Sequence, residues 1–176
     1  ADLTGPLTAL LKQEDAQTRM ATIRLAGAWR QEGLLDPIDS LLDADDQPEV
    51  RAVAMRAMQT LAPEDAAARF ERFISSNEDP GIAQAALTAL ARRDLNAAID
   101  AGLALYAQAD EEGKKRILEI LMQRQGSSAA LATLIESAGL SLEDADSIAR
   151  WLSAAGKDHP QLAAALQRVM GIEPVG

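Results

Sequence analysis

The sequence predicts an all-α solenoid in which short helices pair and the pairs stack, and three observations carry that prediction. Close variants of one segment, QPEVRAVAMRAMQTL at 47–61, recur along the chain. An acid or a serine stands just before each copy. A second, less regular amphipathic stretch separates successive copies. No strand-like alternation or low-complexity tract interrupts the pattern.

The repeated segment is the inner helix of each pair. Val53, Ala54, Ala57 and Met58 lie at i, i+1, i+4 and i+5, one stripe of a 3.6-residue helix, so they face a core. An advance of 32 residues lands on Ala85, Ala86, Ala89 and Leu90, and 64 on Ile117, Leu118, Leu121 and Met122. A step back of 32 gives Ala21, Thr22, Leu25 and Ala26, and a final forward step of 31 gives Ile148, Ala149, Leu152 and Ser153. Glu14, Asp46, Glu78, Asp110 and Ser141 precede the copies at one register position. Each can accept hydrogen bonds from the free amides of a helix N-terminus and oppose its positive end. Ser141 followed by Asp144 is a weaker relative of the capping box, and Asp79-Pro80 reads as a cap followed by a first-turn proline.

The outer helices show Ile38, Leu41 and Leu42, matched 32 residues later by Phe70, Phe73 and Ile74. Leu131, Leu134 and Ile135 serve the last unit, and Leu103, Leu105 and Tyr106 the fourth. A helix of about twelve residues is marginal alone, and a pair leaves one face uncovered, so the units must stack.

In chain order, helices are expected at 6–13 and 15–31, the latter closed by Gly33, then at 37–42 and 47–61, ended by Pro63. Pairs follow at 64–75 with 79–92, at 96–107 with 111–125, broken by Gly126 and Ser127, and at 128–137 with 141–155. The resulting units are 3–33, 34–63, 64–94, 95–126 and 127–156, with a capping helix at 159–170, in a single domain. The cap buries Leu162, Ala163, Leu166, Val169 and Met170, and 171–176 reads as a frayed end or linker. Leu3, Leu7, Leu10 and Leu11 look like ordinary repeat-core residues rather than a polar end cap. With Ala1 in first place and no leader pattern after it, the chain is expected to be a piece of a longer protein.

Composition narrows the function. Apolar residues are 48% of the chain and aromatic ones 3%, so the core leans on alanine and helices must pack closely. Without cysteine the chain can form no disulfide, zinc-thiolate site or CxxC haem attachment. Seventeen basic residues against 27 acidic ones leave a net charge of −10, which opposes binding to phosphate backbones. Few aromatic rings remain for stacking on bases, so no nucleic-acid partner is expected. The single histidine, His159, precedes Pro160 at a helix start and reads as a turn residue. Glycines are scattered singly and form no phosphate loop. Acid pairs such as Asp45-Asp46, Glu78-Asp79, Glu111-Glu112 and Glu143-Asp144 fall at helix starts, where capping accounts for them. No catalytic group, metal site or cofactor is expected.

The segment DQPEVRAVAMRAMQTL resembles a HEAT repeat, with its acid before the second helix, a Val-Arg pair and small apolar residues ending in Leu. The likeness covers 3–156 and implies a right-handed solenoid whose inner helices line a concave surface. It also implies a ladder of arginines between neighbouring repeats. Arg19 and Arg51 fit that ladder, but Ala83, Lys115 and Asp146 stand at the later positions, so it is not expected to extend. More loosely, RLAGAWRQEGLLDPI, RAVAMRAMQTL and IAQAALTALARRDLNAA are similar to the HEAT region of bacterial membrane-bound dehydrogenase-type proteins. There a propeller precedes the repeats and a c-type haem domain follows. That likeness would imply a periplasmic inter-domain spacer, and without it a cytoplasmic protein is expected.

What the resemblance implies is a non-catalytic, monomeric scaffold for a protein partner or for neighbouring domains. The rival is an enzyme or lyase with a pocket on the concave face. Cations cluster on the inner helices, among them Arg19, Arg24, Arg51, Arg56, Lys115, Arg116 and Arg150, while Asp36, Asp39, Asp43 and Asp100 lie on or beside the outer ones. A groove less acidic than the back could take an acidic segment, although arginines near helix C-termini, such as Arg92, Arg93 and Arg124, also complement the helix dipole. Arg24 and Arg56 occupy the same mid-helix position in adjacent units, and Trp151 stands there in the fifth. Arg24, Arg56, Arg116 and Trp151 are therefore the candidate partner-binding residues. Trp29, in register with Leu61, is expected in the core.

Overall fold

A computed structural model describes residues 3–45, 47–61, 63–76, 79–137, 139–156 and 159–172. Among them the only regular structure is helical: α1 (Thr4–Leu11), α2 (Ala16–Ala28), a 3-10 turn (Glu32–Leu34), α3 (Leu35–Ala44), α4 (Pro48–Leu61), α5 (Pro63–Ser75) and α6 (Pro80–Arg93). There follow α7 (Leu95–Tyr106), α8 (Glu111–Met122), α9 (Ser127–Ser137), α10 (Leu142–Ala155) and α11 (Pro160–Val169). This is the expected all-α solenoid order of helix pairs followed by one further helix. The chain divides into two compact units, 1–89 and 90–176, with the division falling inside α6.

In the first unit α2 lies along α4, which also packs against α3 and α5. The inner helix α4 buries Val53, Ala54, Ala57 and Met58 as its periodicity demands, together with Val50, Met55 and Leu61. Its buried face is wider than one stripe because neighbours cover it on more than one side. Helix α2 packs chiefly on α1 and α4, and its buried set is Arg19, Met20, Thr22, Ile23 and Ala26. Ala21, expected inside, is exposed, and Leu25 is only half-buried. Leu10 is likewise exposed rather than in the core.

Helix α2 stops three residues short of its expected end at Gln31. Arg30 takes the left-handed conformation, with φ +50°, and Gln31 N–H reaches back to the Ala26 carbonyl at 3.0 Å, which closes the helix. Gly33 sits in the 3-10 turn rather than at this closure. Leu34, carried in by that turn, is fully buried, whereas Trp29 lies past the helix end and is 51% exposed. Trp29 is thus a surface residue, because the chain turns before the position at which Leu61 still belongs to its own helix.

The second unit packs α7 against α8 and α9, and α11 against α9 and α10. Ile99, Tyr106, Ile117, Leu121, Leu131, Ile135 and Ile148 form much of its interior. Leu162, Ala165 and Leu166 are the buried side of α11, while Ala163 faces out. Ser127, expected in the break before the last pair, is the first residue of α9, and α8 ends at Met122 rather than Gln125.

Helix starts follow the cap chemistry, with one change of residue. Asp15, not Glu14, caps α2, accepting the Thr18 amide at 2.7 Å and the Thr18 hydroxyl at 2.6 Å. Those bonds favour its ionised form and hold its pKa below the usual value. Asp79 accepts the Gly81 amide at 2.7 Å, Asp110 the Gly113 amide at 2.8 Å and Ser141 the Asp144 amide at 3.1 Å. Asp46 and Glu78 lie outside the described residues, but Asp45 accepts the Gln47 amide at 2.9 Å just before α4. His159 precedes α11 without a side-chain cap bond, with proline following in the first turn.

Candidate partner-binding site

Two clamps tie neighbouring inner helices together. In the first unit the Arg19 guanidinium donates from Nη1 to the Gln13 and Glu14 carbonyls, both at 2.8 Å. Its Nε lies 3.0 Å from Asp45 Oδ2 and its Nη2 3.3 Å from Asp45 Oδ1, and both side chains are nearly buried. Arg51, one repeat later, has no such acid among the described residues. It donates from Nε to the Leu42 carbonyl at 2.7 Å and lies 5.7 Å from the centre of the Phe73 ring. The residue one period after Asp45 in the sequence is Asn77, which carries no carboxylate.

A related clamp stands in the second unit, one position off the register of the arginine ladder. It uses Lys114, not Lys115. The Lys114 ammonium sits 3.0 Å from Asp144 Oδ1 and 5.2 Å from the centre of the Tyr106 ring. Burial opposes ionisation of Asp144, but the Ser141 hydroxyl and Lys114 outweigh it and hold the carboxyl below its usual range. The bond to Asp144 lifts Lys114 above its ordinary value. Ser141 Oγ lies 2.7 Å from Asp144 Oδ2, so the acid joins a cap to a clamp.

Charges one period apart also pair on the outer helices. Arg69 pairs with Asp39, and Arg72 with Asp43 at 2.8 Å. Arg168 donates to Glu136 at 2.9 Å. Their separations of 30, 29 and 32 residues match the repeat, and a search for opposite charges at that interval would have found them in the sequence.

The structure brings two of the candidate residues together. Arg24 and Arg56 line one cleft of about 300 Å³ between α2 and α4, with Ile23, Gly27, Ala28, Val53, Ala57 and Thr60 as its other walls. Both arginines are exposed, and neither has an acidic partner among the described residues. Arg56 makes only a 3.3 Å bond to the Ala52 carbonyl of its own helix. The floor is open because Gly27 has no side chain where α2 passes Ala57. A Cβ built there would touch the Ala57 backbone and methyl at 3.5 Å.

Arg116 is placed elsewhere, on the exposed side of α8, where it pairs with Glu112 at 3.3 Å. Trp151 is half-buried and lines a different cavity, between α8 and α10 of the second unit. The cavity also takes in Tyr106, which the register assigns to the fourth outer helix one period after Ile74, and Ser147, which sequence reasoning does not single out because its register equivalents Ala52, Gln84 and Arg116 share no chemistry with it. Among the described residues no group of three or more His, Cys, Asp or Glu side chains could hold a metal, and no helix is long and apolar enough to cross a membrane.

Paired helices at a constant period, inner helices clamped to their neighbours and a cleft between two of them define an α-helical repeat protein. The sequence model of the HEAT repeats matches residues 4–91, half of the chain, and the chain belongs to the HEAT-repeat family. The matched half is the one that keeps Arg19 and Arg51 in register. No curated protein and no solved structure matches the chain.

Proposed function

We propose that this chain is a non-catalytic protein-interaction module that holds an acidic segment of a protein partner across the Arg24–Arg56 cleft. The observation that carries the reading is a pair of exposed arginines on consecutive inner helices that have no acidic partner among the described residues, in a chain of net charge −10. Elsewhere Arg19, Arg69, Arg72, Arg116, Arg150 and Arg168 are matched to carboxylates. Two unmatched guanidiniums facing one cleft suit carboxylates, which they can bind in bidentate fashion. The rival reading, an enzyme on the same scaffold, needs convergent groups able to move protons or attack a bond. The other residues lining this cleft are apolar apart from Thr60. Arg116, already matched by Glu112, adds only general positive charge.

The test is the affinity of a fluorescein-labelled glutamate-rich peptide, followed by anisotropy at low and high salt. Wild-type protein should bind saturably and weaken as salt rises. The Arg24→Glu/Arg56→Glu variant should lose the binding while keeping the parent's circular dichroism and melting temperature. Unchanged affinity in that variant would remove the reading. In a larger polypeptide the module would serve as a spacer as well. An immunoblot of source cells with a haem stain of the same lane separates a free adaptor from a spacer within a haem-containing protein.

A further inference from the structure

The cavity between α8 and α10 holds about 240 Å³ and is lined by Tyr106, Glu111, Lys114, Lys115, Leu118, Ser147, Arg150 and Trp151. That volume suits one or two side chains rather than a cofactor-sized ligand. Three of the lining residues are cationic and one is acidic. Lys114 is held by Asp144, and Glu111 stands at 4.0 Å from the same ammonium, largely in solvent. Lys115 is exposed and has no acidic partner among the described residues. Arg150 meets Asp146 at 3.1 Å, but both side chains are well exposed, where such a pair is weak and easily exchanged. On the same wall Trp151 is half-buried, with Leu118 buried in the wall opposite.

Tyr106 adds an observation of another kind. It is 1% exposed, yet among the described residues its hydroxyl has no hydrogen-bond partner of good geometry. Such an orphan is costly, and a native structure that keeps one usually has a use for it. The Ser147 hydroxyl is its hydrogen-bonding neighbour, the Lys114 ammonium lies beside its ring, and Tyr106 is itself among the residues lining the cavity. A serine hydroxyl can accept one hydrogen bond while donating another. Ser147 can thus accept a hydrogen bond donated by the Tyr106 hydroxyl and donate its own to an anion in the cavity.

We propose that this cavity is a second partner site, which takes the carboxylate of an aspartate or glutamate from an acidic protein segment and seats a neighbouring apolar residue on Trp151. Lys115 and Arg150 supply the charge, and Ser147, backed by Tyr106, supplies a directed donor. The site is independent of the Arg24–Arg56 cleft, and its test is run in a background where that cleft is reversed.

The experiment uses the full chain carrying Trp29→Phe, which leaves Trp151 as the sole tryptophan, with Arg24→Glu and Arg56→Glu added. The probe is an acetylated, amidated Glu-Glu-Leu-Glu-Glu peptide, titrated at low salt while Trp151 fluorescence is read. A saturable change is expected, weakened about tenfold by Lys115→Glu and about threefold by Ser147→Ala. Lys115 is exposed and has no acidic partner among the described residues, so its reversal should leave the circular dichroism spectrum unchanged. No saturable change, or an equal response to the Lys-Lys-Leu-Lys-Lys counterpart, overturns the site. Inorganic phosphate matching the acidic peptide at equal concentration overturns its assignment to a protein segment. Loss of the response on adding the Arg24 and Arg56 reversals places it in the other cleft and also overturns the proposal.

Discussion

The first unit clamps its inner helices with a buried arginine and the second with a half-buried lysine, and the two clamps differ in what they leave behind. Arg19 satisfies two carbonyls and one carboxylate at once, because its planar fork presents several donors in fixed directions. Lys114 brings one compact charge to Asp144 and rests against a tyrosine ring. The arginine clamp thus fastens a turn as well as a neighbouring repeat, and the cleft of the same unit sets two arginines without acidic partners among the described residues over Ile23, Val53 and smaller side chains. Beside the lysine clamp the tyrosine hydroxyl has only the Ser147 hydroxyl, without good geometry, among the described residues, and the cavity includes a tryptophan. One repeat design therefore yields two chemically different clefts.

The largest effect that could break this comparison is removal of the carboxylate from the first clamp. Asp45→Ala leaves the nearly buried Arg19 charge unpaired and takes an acceptor from the Gln47 amide. A loss of about 3 kcal/mol is expected in urea denaturation. A loss below about 1 kcal/mol would mean that the two carbonyls alone satisfy Arg19, and the clamps would then be equivalent.

Lys114→Met should cost less, about 1–2 kcal/mol, since the remaining Asp144 keeps its Ser141 partner. Its pH dependence sharpens the contrast. Asp144 titrates below its ordinary 3.8, so its share of stability is present above that value and is lost as pH falls through the lowered pKa. Lys114 titrates above its ordinary 10.5, so its share is present below that value and is lost as pH rises through the raised pKa. Between those limits wild type should exceed the variant by a constant margin, which closes at either extreme. A margin that persists in strong acid would show that packing of the lysine stem, not the ion pair, stabilises this clamp.

The smallest effect compares two helical glycines. Gly27→Ala places a methyl at ordinary contact distance from Ala57 and should stabilise the fold by about 0.5–1 kcal/mol, while narrowing the Arg24–Arg56 cleft. Gly113→Ala would set its Cβ 2.9 Å from the capping Asp110 Oδ1, so the propensity gain should be cancelled by disturbance of the cap. Thermal melting of both variants reads the difference, and equal gains would contradict the cap geometry.

Much of this was legible before folding was considered. Val53, Ala54, Ala57 and Met58 and their periodic relatives marked the inner helices, and most of them are buried. Asp110 and Ser141 marked helix starts that the structure keeps. Arg19 stood where a clamp was expected. Trp29 did not follow its register, because α2 ends before reaching it and Leu34 takes up the buried apolar role nearby. Lys114 was hidden by its neighbour, since strict periodicity pointed to Lys115. Met55 was missed because it lies beside the expected stripe, on a face that burial by further helices makes apolar. Of the candidate site, the register paired Arg24 with Arg56 and pointed to Trp151, but it had no means of finding Ser147 or the Tyr106 hydroxyl.

The sequence by itself determined the period, the polarity of each helix and the places where helices begin, because these depend on local spacing and on side chains that cap their own backbone. Only the tertiary structure decided the rotational phase of each helix against its neighbours. Consecutive residues on a helix point about 100° apart, so a shift of one position exchanges a clamp for a free cation, as at Lys114 and Lys115. Such shifts are set by packing between helices, where no residue's own neighbours in the chain can specify the outcome.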